Sequence, residues 1–255
     1  MVTYLLKKSY QLNSLEEIDF QDLWGDHGVF TTMWIYGSPP KILFFKEHIK
    51  NLLKSLKQYK IYKKSIHKDI YHLIKIKINT KKNYNHLLRV ALNKKMISIS
   101  LRKKIKTKLK FNLKLINYKR VEPKYKNLKY RLILKHLSKM DNSCSDIALC
   151  FNKNILESGT SNILFIKKRK IYSALNGIYK GITYNFFKKK IGKIINRNIK
   201  LETLKDYDEI ILIGSGKGVT SVQSINEIKW KRKSLRFYKI LLDLYNKEIK
   251  RCTIY

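Results

Sequence analysis

Cysteine is scarce in this chain. Cys144, Cys150 and Cys252 are odd in number and form no CxxC pair, which argues against a disulfide framework and a zinc site alike. The six histidines show neither HExxH nor paired spacing, so no metal is expected. No apolar run approaches the roughly 18–20 residues that a membrane-spanning helix needs. Met1–Lys8 also lacks the basic start and long apolar stretch of a signal peptide. The expectation is a cytoplasmic protein with no membrane partner and no targeting extension, its fold beginning by residue 25. No internal repeat is visible.

Acids are the next shortage. Among 255 residues, 56 Lys and Arg face 18 Asp and Glu, a net charge of +38. Such a balance suggests a nucleic-acid or other polyanionic partner first. Its distribution weakens that reading. Residues 1–40 carry −3 and residues 201–255 carry +4, so residues 41–200 hold +37. Only nine of the bases are Arg, the residue on which bidentate phosphate and base contacts lean. Lysine arrives together with much Asn, Ile and Tyr and only three Pro, the mark of a compositional bias that fills solvated positions with Lys. Nucleic acid is therefore not the expected partner.

What is present is enough to fold: 44% hydrophobic and 12% aromatic residues over a length fit for one or two packed domains. Apolar residues recur at helical spacing over Phe45–Tyr59 and, less regularly, over Asp69–Ile76. Short strand-like runs follow at Leu87–Leu92, Met96–Leu101 and Phe111–Ile116. Asn117–Lys126 has no periodicity. Beyond it the pattern predicts a helix near Leu128–Lys139, strands at Ile147–Phe151 and Ser161–Ile166, a turn at Asn152–Asn154, a helix over Thr183–Ile195 and a strand at Glu209–Ile213. A last helix is expected from Ser234, a plausible N-cap. The fold class is α/β (α+β), with an N-terminal domain over 1–117, a linker over 118–123 and a C-terminal domain over 124–255.

Two turns look built for phosphate. Gly181-Ile182-Thr183 opens a helix, so free amides and a hydroxyl gather at its positive end. Gly214-Ser215-Gly216-Lys217-Gly218 follows a strand and offers further backbone donors. Neither matches GxxxxGK[ST] or GxGxxG, which argues against a nucleoside triphosphate or a dinucleotide. Each is also compatible with an ordinary turn. Among the six acids of residues 41–200, Glu157 is distinctive, lying between an apolar strand and the small-residue run Ser158–Asn162. It faces either a polar pocket or a surface lysine.

Six segments, in order, resemble the fold-type-IV pyridoxal-phosphate enzymes, which include D-amino-acid and branched-chain aminotransferases and aminodeoxychorismate lyases. They are Trp24–Thr32, His48–Leu52, Lys126–Tyr130, Glu157–Ile163, Lys180–Thr183 and Asp208–Val222. The resemblance implies a two-domain D-amino-acid-aminotransferase-like fold with its active site between the domains, a homodimer, and pyridoxal 5′-phosphate as cofactor. It implies Lys126 as the lysine that bonds the cofactor aldehyde and moves the substrate proton, and Glu157 as the partner of the pyridine nitrogen. Ile182, Thr183, Ser215 and Gly216 would hold the phosphate. Lys129 is the nearest competitor of Lys126.

Three features favour the lyase branch: a short chain, the Phe30-Thr31-Thr32 run with Thr31 toward substrate, and a compact Leu88–Leu101 hairpin. The reaction implied is elimination of pyruvate from 4-amino-4-deoxychorismate, a dianionic small molecule, to give 4-aminobenzoate for folate synthesis. A branched-chain or D-amino-acid aminotransferase is the alternative. A non-catalytic polyanion binder on a degenerate scaffold is a second. Departures from the family pattern are Asn51 in place of a phosphate-binding arginine, Lys129 for Asn, Tyr184 for Arg and Ser221 for Pro. Lys50, Lys54, Lys180 or Lys217 would then have to supply the missing charge.

Overall fold

Side chains alternate across a strand, so a sheet with one apolar face must bury that face against something. In the computed structural model, which describes residues 3–254, this requirement is met in two compact units. The first runs to Lys104 and takes in Tyr125–Tyr130 and the residues from Cys252; the second comprises Ile105–Lys124 and Arg131–Arg251. The chain thus changes unit at 104/105, at both ends of Tyr125–Tyr130 and again at 251/252, where the sequence suggested one linker over 118–123.

The first unit is an antiparallel sheet backed by two helices. Its strands are β1 (Tyr4–Gln11), β2 (Glu17–Ile18), β3 (Gly28–Gly37), β4 (Lys41–Ile42), β5 (Tyr84–Asn93) and β6 (Met96–Lys103), in the order β2-β1-β6-β5-β3-β4. One face carries Val29, Met33 and Ile35 of β3, Leu88, Val90 and Leu92 of β5, and Ile97, Ile99 and Leu101 of β6. These form one core with Ile49, Leu52 and Leu56 of α1 (Phe45–Gln58) and Ile70, Leu73 and Ile74 of α2 (Ile66–Lys77). Thr31 is the hydroxyl in that otherwise apolar row. The opposite face, read from the pairings Thr32↔Arg89↔Ser100 and Leu87↔Arg102, mixes polar residues with Phe30, Trp34 and Ala91. The fold takes in β1, which lies inside the sheet between β2 and β6. Lys7 and Lys8 hide its alternation.

The second unit holds two sheets. One contains β7 (Asn112–Asn117), β8 (Ser145–Phe151) and β9 (Asn154–Ser158) with the short strands β13 (Ile199–Lys200), β16 (Ser224–Ile225) and β17 (Trp230–Lys231). The other contains β10 (Asn162–Lys167), β11 (Lys170–Ala174), β12 (Ile195–Arg197), β14 (Glu209–Gly214) and β15 (Gly218–Ser221). Leu113, Ala148, Cys150 and Ile155 of the first meet Ile163, Phe165, Ile210 and Leu212 of the second in one core. Three helices complete the unit: α3 (Arg131–Leu137), α4 (Ile182–Ile191) and α5 (Arg236–Arg251).

Several boundaries have local causes. Asn152 and Lys153 both take positive φ (47° and 58°), which makes the two-residue hairpin turn between β8 and β9. Lys168 and Arg169 do the same (48° and 60°) between β10 and β11. α4 stops at Ile191 rather than Ile195 because Gly192 takes φ 77°. The helix predicted over Leu128–Lys139 shortens to α3, since Leu128 is paired instead with β3. At α5, Ser234 Oγ accepts the Arg236 N–H (3.0 Å), and the buried Glu209 carboxylate accepts those of Phe237 and Tyr238 (2.8 Å each). A carboxylate at a helix N-terminus also complements the dipole.

Candidate active site

β3 opens at a glycine with no room for a side chain. A Cβ on Gly28 would lie 2.2 Å from the Leu92 carbonyl oxygen and 2.7 Å from the Leu128 side chain. This close approach lets residues 126–128 run beside the strand. Phe30 N–H donates to the Lys126 carbonyl (2.9 Å), Leu128 N–H to that of Gly28 (2.9 Å), and Gly25 N–H to that of Leu128 (2.8 Å). Backbone pairing therefore fixes Lys126, and its half-buried side chain places Nζ 4.7 Å from the Phe30 ring centre. Lys129 is exposed and donates to the Gly25 carbonyl at 3.0 Å.

Thr31 points the other way from Phe30, and its Oγ1 lies 2.7 Å from Nδ1 of His48 on α1. Both side chains are buried. Burial pushes the His48 pKa down to about 3, and the charge of Lys126 acts in the same direction. A neutral imidazole therefore holds the Thr31 hydroxyl, with the Lys126 charge felt at the same ring. Asn51 follows one helical turn later, where its carbonyl accepts the Ser55 hydroxyl (2.9 Å).

The opposite face of the same sheet holds the buried Arg89 and the half-buried Arg102, which sequence reasoning passed over. Arg89 lies against the Trp24 ring (4.3 Å from Cζ to the ring centre) and donates to the Asp22 carbonyl at 2.6 Å, while its Nε has no hydrogen-bond partner. Burial lowers its pKa to about 10 and lowers that of Arg102, whose charge also acts on Arg89. Among the described residues neither has a carboxylate within ion-pair distance. The Asp22 charge nevertheless acts on Arg89 and favours its charged form. The signal was available: in a chain with 47 Lys, each of nine Arg is a choice.

In the second unit Glu157, on β9, is buried and paired. Its Oε1 accepts Arg120 Nε at 2.6 Å and its Oε2 accepts the Tyr179 N–H at 3.1 Å. The partner is thus a buried arginine from the stretch read as linker, and not a surface lysine. Arg120 also donates to the Pro123 carbonyl (3.0 Å), which anchors that stretch.

The predicted phosphate turns have the character expected of an anion cradle. Asn162, at the start of β10, bridges the chain ahead of α4: its Nδ2 donates to the Tyr179 carbonyl (2.6 Å) and its Oδ1 accepts the Gly181 N–H (3.1 Å). Ile182 and Thr183 then supply first-turn amides, which have no partner within a helix. Thr183 Oγ1 is buried with no hydrogen-bond partner. A buried hydroxyl left unsatisfied is costly, and an oxyanion at the helix start would satisfy it. Gly214, before Ser215 and Gly216, packs so closely that a Cβ would lie 2.9 Å from Ser161 Oγ. These residues fit a bound phosphate. Tyr184 and Ser221, which depart from the family pattern, bond to Asn196 (2.9 Å) and Arg232 (3.0 Å).

Thr31, His48 and Lys126 thus gather in the first unit, and Glu157, Ile182, Thr183, Ser215 and Gly216 all belong to the second. A sequence model of the amino-transferase class IV family matches residues 28–225. No curated protein sequence matches the chain. Among solved structures, the chain is similar to a branched-chain aminotransferase of Thermoproteus uzoniensis crystallised with norvaline, at 14% identity and TM-score 0.74 over 96% of this chain and 98% of that one. It is similar to a Legionella pneumophila protein described as a 4-amino-4-deoxychorismate lyase, at 18% identity and TM-score 0.71 over 87% and 91%. It is also similar to the PLP form of a branched-chain aminotransferase of Thermobaculum terrenum, at 15% identity and TM-score 0.70 over 94% and 92%. At such identities the likeness is one of fold.

Proposed function

Because this chain belongs to the amino-transferase class IV family, and so has pyridoxal 5′-phosphate as its cofactor, we propose that it is an aminodeoxychorismate lyase. It would eliminate pyruvate from 4-amino-4-deoxychorismate and leave 4-aminobenzoate. When bound, the cofactor supplies an aldehyde that exchanges amines and a protonated ring that draws electrons from the substrate carbon. The chain's own residues do the rest. Lys126 would be the residue that holds the cofactor aldehyde and, as a free amine, would take the proton from the amine-bearing carbon of the substrate. The enolpyruvyl ether leaves from the neighbouring carbon, takes up a proton and becomes pyruvate, and the ring becomes aromatic. Glu157 would hold the cofactor's ring nitrogen, with Arg120 as its interior countercharge. Thr183, the Ile182 amide, Ser215 and Gly216 would hold the phosphate. Arg89 and Arg102 suit the carboxylates of a dianionic substrate.

What favours the lyase over the aminotransferase is the likeness of the Phe30-Thr31-Thr32 run to the lyase form; Thr31 itself does not reach toward substrate as expected, its hydroxyl being buried on the core face of β3 and bonded to His48 at 2.7 Å. The β5–β6 hairpin adds support. It turns in two residues, tied by Asn93 Oδ1 accepting the N–H groups of Lys95 and Met96 (2.8 Å each). Chain length does not discriminate, since the Thermoproteus aminotransferase is matched over 98% of its own chain. A homodimer in the cytoplasm completes the reading: the family resemblance supports the dimer, and three free thiols suit a reducing compartment. Among the described residues no helix is long and apolar enough to cross a membrane. The test is to supply aminodeoxychorismate to the holoenzyme and measure pyruvate and 4-aminobenzoate; faster transamination of a branched-chain or D-amino acid would replace this reading.

A further inference from the structure

Lys217 is one of the lysines to which the missing phosphate arginine could be traded, but its surroundings indicate another use. Its side chain is 10% exposed, with Nζ 3.6 Å from Oδ2 of Asp146, which is fully buried. The ammonium also lies 4.7 Å from the Phe111 ring centre. An ion pair withdrawn from water is costly and adds little stability by itself, so its value lies in what it holds together.

Asp146 is the hub of a small network. Its Oδ2 accepts the hydroxyls of Ser158 (3.1 Å) and Thr160 (2.8 Å), and its Oδ1 accepts the Ile147 N–H (2.8 Å). Ser158 Oγ in turn accepts the Ser161 N–H (2.8 Å) and the Thr160 N–H (3.3 Å). Gly159 is required beneath it, since a Cβ would lie 2.8 Å from Ile147 and 3.0 Å from Asp146 Oδ1. Asp146 thereby folds the loop that follows Glu157. Lys217 reaches it from the turn of Ser215 and Gly216, and the same loop meets that turn again where Ser161 Oγ packs on Gly214.

We propose that Asp146 and Lys217 are positioning residues: a buried strut that sets the Gly214–Gly218 turn at a fixed distance from the loop after Glu157, and so sets the phosphate cradle. The proposal rests on the assignment of these turns to pyridoxal phosphate. Removing one charge strands the other in the interior, lets the turn shift and disrupts phosphate contacts, while Glu157 stays anchored by Arg120 and by β9.

The test compares two probes that differ only in the phosphate. Dissociation constants of pyridoxal 5′-phosphate and of pyridoxal are measured by absorbance for the wild type, Asp146→Asn, Lys217→Met and the double variant. The double variant carries no stranded charge and keeps the test open where a single variant fails to fold. The strut predicts that the phosphorylated probe weakens at least tenfold, pyridoxal less than threefold, and that the double variant is no worse than the worse single. Lys217→Arg restores most of the affinity. Equal loss for both probes, or no loss, overturns the strut while leaving the enzyme reading intact. A wild type that binds neither probe overturns both.

Discussion

In the first unit the candidate amine is placed by strand pairing: Lys126 hangs from backbone bonds to β3, beside an aromatic ring and a buried Thr31–His48 pair. In the second unit the candidate anion site is placed by turns and a helix end, with Asn162 tying Gly181 down and Thr183 left with an unspent hydroxyl. The two regions solve different problems. A nucleophile needs one side chain singled out from 47 lysines, and a sheet edge with no room for a Cβ does that. An anion needs many donors converging from flexible backbone, and glycine turns provide them. Specificity for one lysine is thus a property of tertiary pairing, whereas the cradle is largely local.

The contrast can be broken at several points. The largest effect is expected on the second unit's side, where Arg120→Met strands the buried Glu157 carboxylate. Breaking such a pair costs about 3–5 kcal/mol, which chemical denaturation would register; a loss below about 1 kcal/mol would mean the pair is dispensable. Thr183→Val sharpens the cradle argument because two effects have opposite signs. Removing a buried, unpartnered hydroxyl should leave the apo fold unchanged or firmer, while cofactor affinity falls by about tenfold, the value of one good hydrogen bond to an anion.

His48 gives a pH test on the first unit. The unfolded chain takes up a proton near pH 6.5 that the folded chain refuses until about pH 3. Stability from this residue is therefore complete above pH 6.5 and is lost as the pH falls toward 3. His48→Gln should flatten the fall in melting temperature between pH 7 and pH 4 relative to the wild type, and identical slopes would show that His48 is not held neutral. The smallest effect belongs to Lys129→Ala. Its exposed ammonium bonds only one carbonyl among the contacts described above, so stability should move by less than about 0.5 kcal/mol and cofactor labelling not at all.

Much of this was legible in the sequence, and the exceptions have physical causes. Periodicity found α1 almost to the residue because its apolar face is unbroken by charge. It missed β1, whose Lys7 and Lys8 obscure alternation, and it missed β11 because the Lys168–Arg169 turn uses left-handed backbone without the glycine or asparagine that usually announces it. Motif order named Lys126 and Glu157 as candidates and placed the helix at Thr183. What motif order lacked was partners. The pairing of Glu157 with Arg120, and of Asp146 with Lys217, joins positions 37 and 71 residues apart, a separation that one sequence does not encode locally. Two of the few arginines, Arg89 and Arg120, are buried.

The most direct measurement is to load the purified protein with pyridoxal 5′-phosphate, reduce it with borohydride and locate the label by peptide mass spectrometry. The account predicts a single pyridoxyl group on Lys126, absent in Lys126→Ala. Label on Lys129 or another lysine, or a protein that takes up no label, would contradict it.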